Sequence, residues 1–242
     1  MHEIFALDAA TYGVAIVLIA FIRYNPDKIR SIDTGRVWTR LRLGMNYLRE
    51  RKPILWFGIA SYMVFVVLIV HGFYLLNIYV DEYLQEGGGV IALADIVYAV
   101  GAIIAGFFIR KIFRKTSVVT AILTLMCITI LITLVVGSTR ELVILLGFQL
   151  LMGICNAGIR VMRVTWLFTV IPNDVMGRST SVFNSVRIIL QTALISLFSL
   201  AFFTEADGVP YAYILCSMFI VLAVVPILFQ RKQLLELEQK AD

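Results

Sequence analysis

The chain has 242 residues, 60% of them hydrophobic and only 15% charged, with a mean hydropathy of +0.91. Soluble proteins are about half apolar and a quarter charged, so this composition excludes a soluble globular domain and describes a polytopic membrane protein. The net charge of +5 does not point to nucleic acid, because the basic residues gather between apolar runs, where membrane orientation accounts for them.

Several runs are about 20 residues long, the length that crosses ~30 Å of hydrocarbon as a helix. Strand-like alternation is absent, so the predicted class is all-α. Seven spans are expected, at 4–22, 54–80, 89–109, 117–137, 142–170, 180–203 and 210–230. Cys127, Cys155 and Cys216 lie inside these runs without CxxC or Cys/His spacing, which predicts no disulfide framework, no metal and no cofactor.

The N-terminal MHEIFALDAA lacks a basic region and positive charge follows the first span, so it does not read as a secretory signal peptide. Residues 1–23 are expected to be the last transmembrane helix of an otherwise missing N-terminal half. Residues 24–52 form a basic linker. On a helical wheel of residues 34–51, Val37, Trp38, Leu41, Met45 and Leu48 share one face, and Arg36, Arg40, Arg42 and Arg49 lie off it. Two readings stand: an amphipathic helix on the cytoplasmic membrane surface with Trp38 at headgroup depth, or a solvated linker helix between two bundles.

The second span carries His71, which either carries a proton or bonds a neighbouring backbone group or tyrosine. Asp81, Glu82 and Gly87 to Gly89 predict a flexible loop outside. The third span holds Asp95 near its outer end and a small-residue stripe, Ala94, Gly101, Ala102, Ala105 and Gly106, which favours close helix packing. A carboxylate at membrane depth is a functional-site candidate, so Asp95 and His71 are the proton-coupling candidates. Spans four and seven carry no charged side chain. If charged groups avoid lipid, spans two, three, five and six surround something and four and seven stand outside.

The fifth span carries Asn156, Arg160 and Arg163, and the sixth Asn184, Arg187 and Gln191, each set on one helical face. A break is expected at Pro172 to Arg178. The three arginines at comparable depth suggest a positive cavity wall, with the amides orienting a ligand. In the competing reading, Arg163 snorkels to the interface and Arg187 satisfies helix-end carbonyls.

Seventeen of the 21 basic residues fall on one side of these spans, among them Arg23, Lys28, Arg30, Arg36, Arg110, Lys111, Arg178 and Arg231. This predicts an outside N-terminus and a cytoplasmic C-terminus, with residues 231–242 a cytoplasmic tail. An enzyme is disfavoured: there is one intramembrane histidine and no GxSG, HExxH or paired-Asp motif.

The chain resembles the C-terminal half of a major facilitator superfamily transporter, in the drug and siderophore exporter branch that includes enterobactin exporters. Pro172, Gly177 and Arg178 look like that branch's P-x(n)-GR segment. Gly106-FFIRKIF-Arg114-Lys115 is similar to the second copy of the superfamily loop motif, although Arg110 stands where Asp is usual and Phe113 where Gly is. The basic linker ending in GMNYLRERKP lies where that branch joins its halves. The resemblance implies residues 53–230 as a C-terminal six-helix bundle, Gly177, Arg178, Gly106 and Arg114 as conformational-loop residues, and proton-driven efflux by alternating access as an antiporter of the bacterial inner membrane. The implied partners are the bilayer, a small-molecule substrate and the N-terminal half. The alternative is an orphan half without transport activity of its own, acting with a separate N-terminal half or as a scaffold.

Overall fold

The computed structural model describes residues 2–21 and 37–241. The chain divides into two units, Met1–Arg36 and Val37–Asp242. In the first, α1 spans His2–Ala20. In the second, α2 (Val37–Glu50) precedes α3 (Lys52–Leu84), α4 (Gly88–Ile112), α5 (Val118–Gly137), α6 (Leu142–Val170), α7 (Asn173–Phe198), α8 (Val209–Phe229) and α9 (Arg231–Ala241). The described residues contain no strand.

Among the described residues six helices, α3 to α8, are long and apolar enough to cross a membrane, α8 together with the turn that begins at Ala206. The expected seventh span falls on α1, whose apolar stretch among the described residues is Ala9–Ala20. The linker residues Arg23, Lys28, Arg30 and Arg36 lie outside the described residues, as do the side chains of Asp8, Val37 and Arg40.

Helix ends follow local chemistry. Pro53 opens α3, where its missing N–H costs nothing. Ser117 caps α5 by accepting from the Thr120 N–H at 3.2 Å. The expected seven-residue break at Pro172 is shorter: only Ile171 and Pro172 leave the helix, and the Pro172 carbonyl already accepts from Val175 and Met176. Proline fits a helix start, so α7 begins at Asn173 and includes Gly177 and Arg178. The expected glycine loop is also tighter. Gln85, with φ 58°, closes α3 in the left-handed conformation, and Gly88 and Gly89 already belong to α4.

Within the second unit α3 and α6 are central. Helix α4 lies along α6 and α7 along α3, while α5 and α8, the two spans without a charged side chain, pack on each other and on α6 and α3. In α4 and α7 only 17% and 22% of the most apolar stretch is buried inside the protein, against 44% to 56% for the other four. They are the least covered spans of this unit and flank α6 and α3 respectively. The α4–α6 seam is the tightest, because Gly101 meets the Leu150 carbonyl and Gly153 the Tyr98 carbonyl so closely that a Cβ at either would collide.

The segment after α8 is helical. Leu234 of α9 is fully buried, and the Glu238 carboxylate accepts from the Val118 N–H at 2.7 Å at the start of α5, where an anion suits the free amides and dipole. Helix α2 sets its apolar face on α7: Leu48 is fully buried, Leu41 and Met45 half-buried, and Gly44 approaches the Arg178 carbonyl. Trp38 remains exposed.

Candidate functional site

The sequence places one polar stripe on α6, and the fold divides it among three environments. Helix α6 lies between α4 and α3, so a stripe aimed at the gap meets one neighbour on each side. Asn156, buried, donates from Nδ2 to the Tyr98 hydroxyl of α4 at 2.9 Å. Arg160 is exposed. Arg163, 4% exposed, turns to α3 and donates to the Ser61 carbonyl at 2.8 Å, with its guanidinium 3.6 Å from the centre of the Tyr62 ring.

That contact explains an irregularity in α3. The helix loosens at Tyr62, whose N–H bonds Ile59 in a tighter turn, and the Ser61 carbonyl takes the guanidinium. A freed carbonyl in hydrocarbon needs such a partner. Arg163 therefore sits inside the bundle, buried against α3.

Arg187 of α7 is half-buried. Its guanidinium lies 5.2 Å from the Phe65 ring centre and donates to Gln191 Oε1 at 3.2 Å. Asn184 is exposed one turn earlier. The Arg163 guanidinium is in coulombic reach of both Arg160 and Arg187, and none of the three has a carboxylate partner among the described residues. Counted along their helices at 1.5 Å per residue, Phe65, Tyr98, Asn156 and Arg187 all lie about 20 Å from the end of the bundle that carries Lys52, Arg110 and Arg231.

Between α3, α4 and α6 is a cavity of about 290 Å³, lined by Phe65, Leu68, His71, Asp95, Tyr98 and Gln149, among others. Both proton-coupling candidates line it, although 24 residues separate them. Asp95 is exposed and His71 buried. The His71 Nδ1 is hydrogen-bonded to the Tyr213 hydroxyl of α8 at 2.9 Å, with the Phe148 ring edge-on at 4.9 Å and the Gln149 amide beside it. His71 also begins a π-helical turn, His71–Leu75, where the Leu76 N–H reaches back to the His71 carbonyl. Such turns widen a helix and recur at functional sites. Behind the histidine, Tyr79 packs on Tyr213 and donates to the Thr139 carbonyl at 2.8 Å beyond the end of α5, satisfying a group the helix leaves open.

The conformational-loop candidates do not converge with this set. Gly106 lies on α4, where a Cβ would meet no other element, Arg114 is exposed in the α4–α5 turn, and Gly177 and Arg178 lie in the first turns of α7.

Three residues of this region escaped the sequence reading. Gln149 lies two turns before Asn156, in register with its stripe, and Tyr98 one turn after Asp95; both signals were present in the spacing. Phe65 carried none, since an aromatic in an apolar helix is ordinarily core.

The arrangement provides an amphipathic surface, with two arginines toward one end and a carboxylate, imidazole, phenol and amide around a cavity toward the other. It suits reversible binding of a small amphipathic molecule and exchange of protons with water. A family model described as Major Facilitator Superfamily matches residues 1–192. No curated protein and no solved structure matches the chain.

Proposed function

The chain belongs to the major facilitator superfamily and is a multi-pass membrane transporter, and from that premise we propose that it exports a small molecule by alternating access. The α4–α7 face is one wall of the path, and a second six-helix half supplies the other. One observation carries this reading: Asp95, Tyr98 and Gln149 line one cavity with Phe65, Asn156 bonds Tyr98, Arg187 lies against Phe65 and Arg160 is within coulombic reach of Tyr98, so polar groups of three apolar helices gather in one region. A charged side chain at the bilayer centre costs about 3 kcal/mol or more. Such a region belongs against water or protein.

Substrate binds near the level of Arg187 and Tyr98, where binding sites between repeated bundles lie. Arg160 and Arg187 favour an anionic or catechol-bearing substrate, while Asn184 and Gln191 orient it. Export is driven by inward proton flow. Asp95 exchanges protons with the path, and His71, held by Tyr213, is the second coupling candidate. Arg163 acts from beneath as a positioning residue. The excess of basic residues at one end supports a cytoplasmic location for that end, and the bacterial inner membrane is proposed from the resemblance to exporters alone.

This gathering of polar groups also favours a second reading, in which these 242 residues are inactive alone and work only with a separately made half. Accumulation of a fluorescent anion in efflux-deficient cells tests both readings, with the chain expressed alone and with a six-helix N-terminal half, and with membrane insertion checked in each case. Export only with the second half is expected. Export by the chain alone would overturn the two-wall path, and no export in either case would overturn the exporter reading.

A further inference from the structure

A groove of about 570 Å³ runs between α2 and α7, on the flank of α7 away from the candidate site. At 100° per residue its lining residues, Val182, Ser185, Val186 and Ile189, fall on the face opposite Asn184, Arg187 and Gln191. A groove there opens away from the path, toward lipid. Its two edges differ in chemistry. Along α2, Arg42, Asn46 and Arg49 line it at i, i+4 and i+7, a row about 10 Å long. All three are exposed, and neither arginine has an ion-pair partner among the described residues. The floor and opposite edge are apolar: Leu41 and Met45 from α2, then Val182, Val186 and Ile189 climbing α7 away from the basic end. Exposed Trp38 stands at one end, a residue type that prefers the headgroup level.

From this pairing we infer that the groove holds an anionic glycerophospholipid. Its phosphate is bound by Arg42 and Arg49, Asn46 hydrogen-bonds the headgroup, and one acyl chain lies along Val182, Val186 and Ile189. Charge complementarity selects this occupant. An apolar helix would leave two guanidinium groups unpaired beside it, and a zwitterionic lipid would bring its own cation against them. Arginine suits phosphate through its planar, bidentate donor fork, and basic clusters beside membrane helices bind anionic lipids for the same reason. The lipid would also tie α2 to α7, so that anionic lipid content stabilises the packing of the linker helix. This inference concerns a flank outside the proposed path and does not depend on the substrate or coupling ion.

The test is native mass spectrometry of the purified chain in detergent micelles, titrated with palmitoyl-oleoyl phosphatidylglycerol and, in parallel, with the corresponding phosphatidylcholine. One retained phosphatidylglycerol is expected, bound at least fivefold more tightly than phosphatidylcholine. Arg42→Gln with Arg49→Gln should erase that preference, and Val186→Trp, which fills the apolar edge, should weaken both lipids. Both substitutions touch exposed or half-buried side chains and leave the bundle core intact. Equal affinity for the two lipids, or a preference that survives the double substitution, overturns the site. So does protection of Ser185→Cys from a water-soluble maleimide in delipidated protein, which would assign the groove to a protein segment.

Discussion

Arg160 and Arg163 are the same residue type, one turn apart on one helix, and the structure treats them in opposite ways. Arg160 is exposed; Arg163 is sealed beneath Tyr62 with its guanidinium on the Ser61 carbonyl. The same division runs through the glycines. Gly101 and Gly153 are pressed against opposing backbone, while a Cβ at Gly106 or Gly177 would meet no atom of another element within 4 Å. A membrane bundle of this kind thus combines sealed seams that fix the helices with polar groups left exposed, and the proposed path uses the latter. Polarity alone does not tell the two apart.

Substitutions sharpen this contrast. The largest effect is expected in the tightest seam. Gly153→Leu drives a side chain into the Tyr98 carbonyl, and since overpacking commonly costs about 1–3 kcal/mol or more, loss of correctly inserted protein in detergent extracts is expected. Gly106→Ala and Gly177→Ala, both in helices with room for a methyl group, should leave stability unchanged or raise it by up to about 1 kcal/mol. A loss for Gly106→Ala or Gly177→Ala as large as that for Gly153→Leu would dissolve the comparison.

Next is Arg163→Met, which leaves the Ser61 carbonyl without its donor and removes the stacking on Tyr62. A destabilisation of about 1–3 kcal/mol is expected, read as a lower thermal midpoint. Arg160→Ala should shift that midpoint by about 0.5 kcal/mol or less. A reversed order would place the seam at the wrong arginine.

Asp95→Asn probes the exposed polar groups without a change of shape. Gradient-driven efflux should fall about tenfold, equivalent to ~1.4 kcal/mol, whereas substrate exchange at equal pH on both sides should persist. Equal loss of both activities would make Asp95 structural. A modest effect is expected of Glu238→Gln, where a charge-assisted cap on α5 becomes a neutral one. About 0.5–1 kcal/mol is expected, visible as faster hydrogen exchange at Val118 and Val119.

Much of the fold was legible because length and apolarity alone define spanning helices: Leu142–Val170 falls where hydropathy placed it. The break at Pro172 was read as too long, since the polar residues Asn173, Asp174 and Arg178 look like loop when they are the first turns of a helix packed under α2. The site was half legible. Periodicity grouped Asn156, Arg160 and Arg163, but which neighbour each meets depends on α6 lying between α4 and α3, a tertiary fact. His71 and Asp95 stood out by chemistry, while their shared cavity depends on pairings between helices that no local spacing encodes. The α2–α7 groove was invisible for the same reason, although its row of Arg42, Asn46 and Arg49 was in plain view.

The central claim, that the exposed polar groups line the wall along which substrate passes, is tested most directly by charge selectivity. With the chain co-expressed with a six-helix N-terminal half, export of an anionic and a cationic dye of similar size is compared for the unchanged protein and for Arg160→Ala with Arg187→Ala. The ratio of anionic to cationic export should fall about tenfold in the variant, with expression and melting midpoint little changed. An unchanged ratio, whether export is lost for both dyes or for neither, would contradict the account and return the two arginines to a structural role.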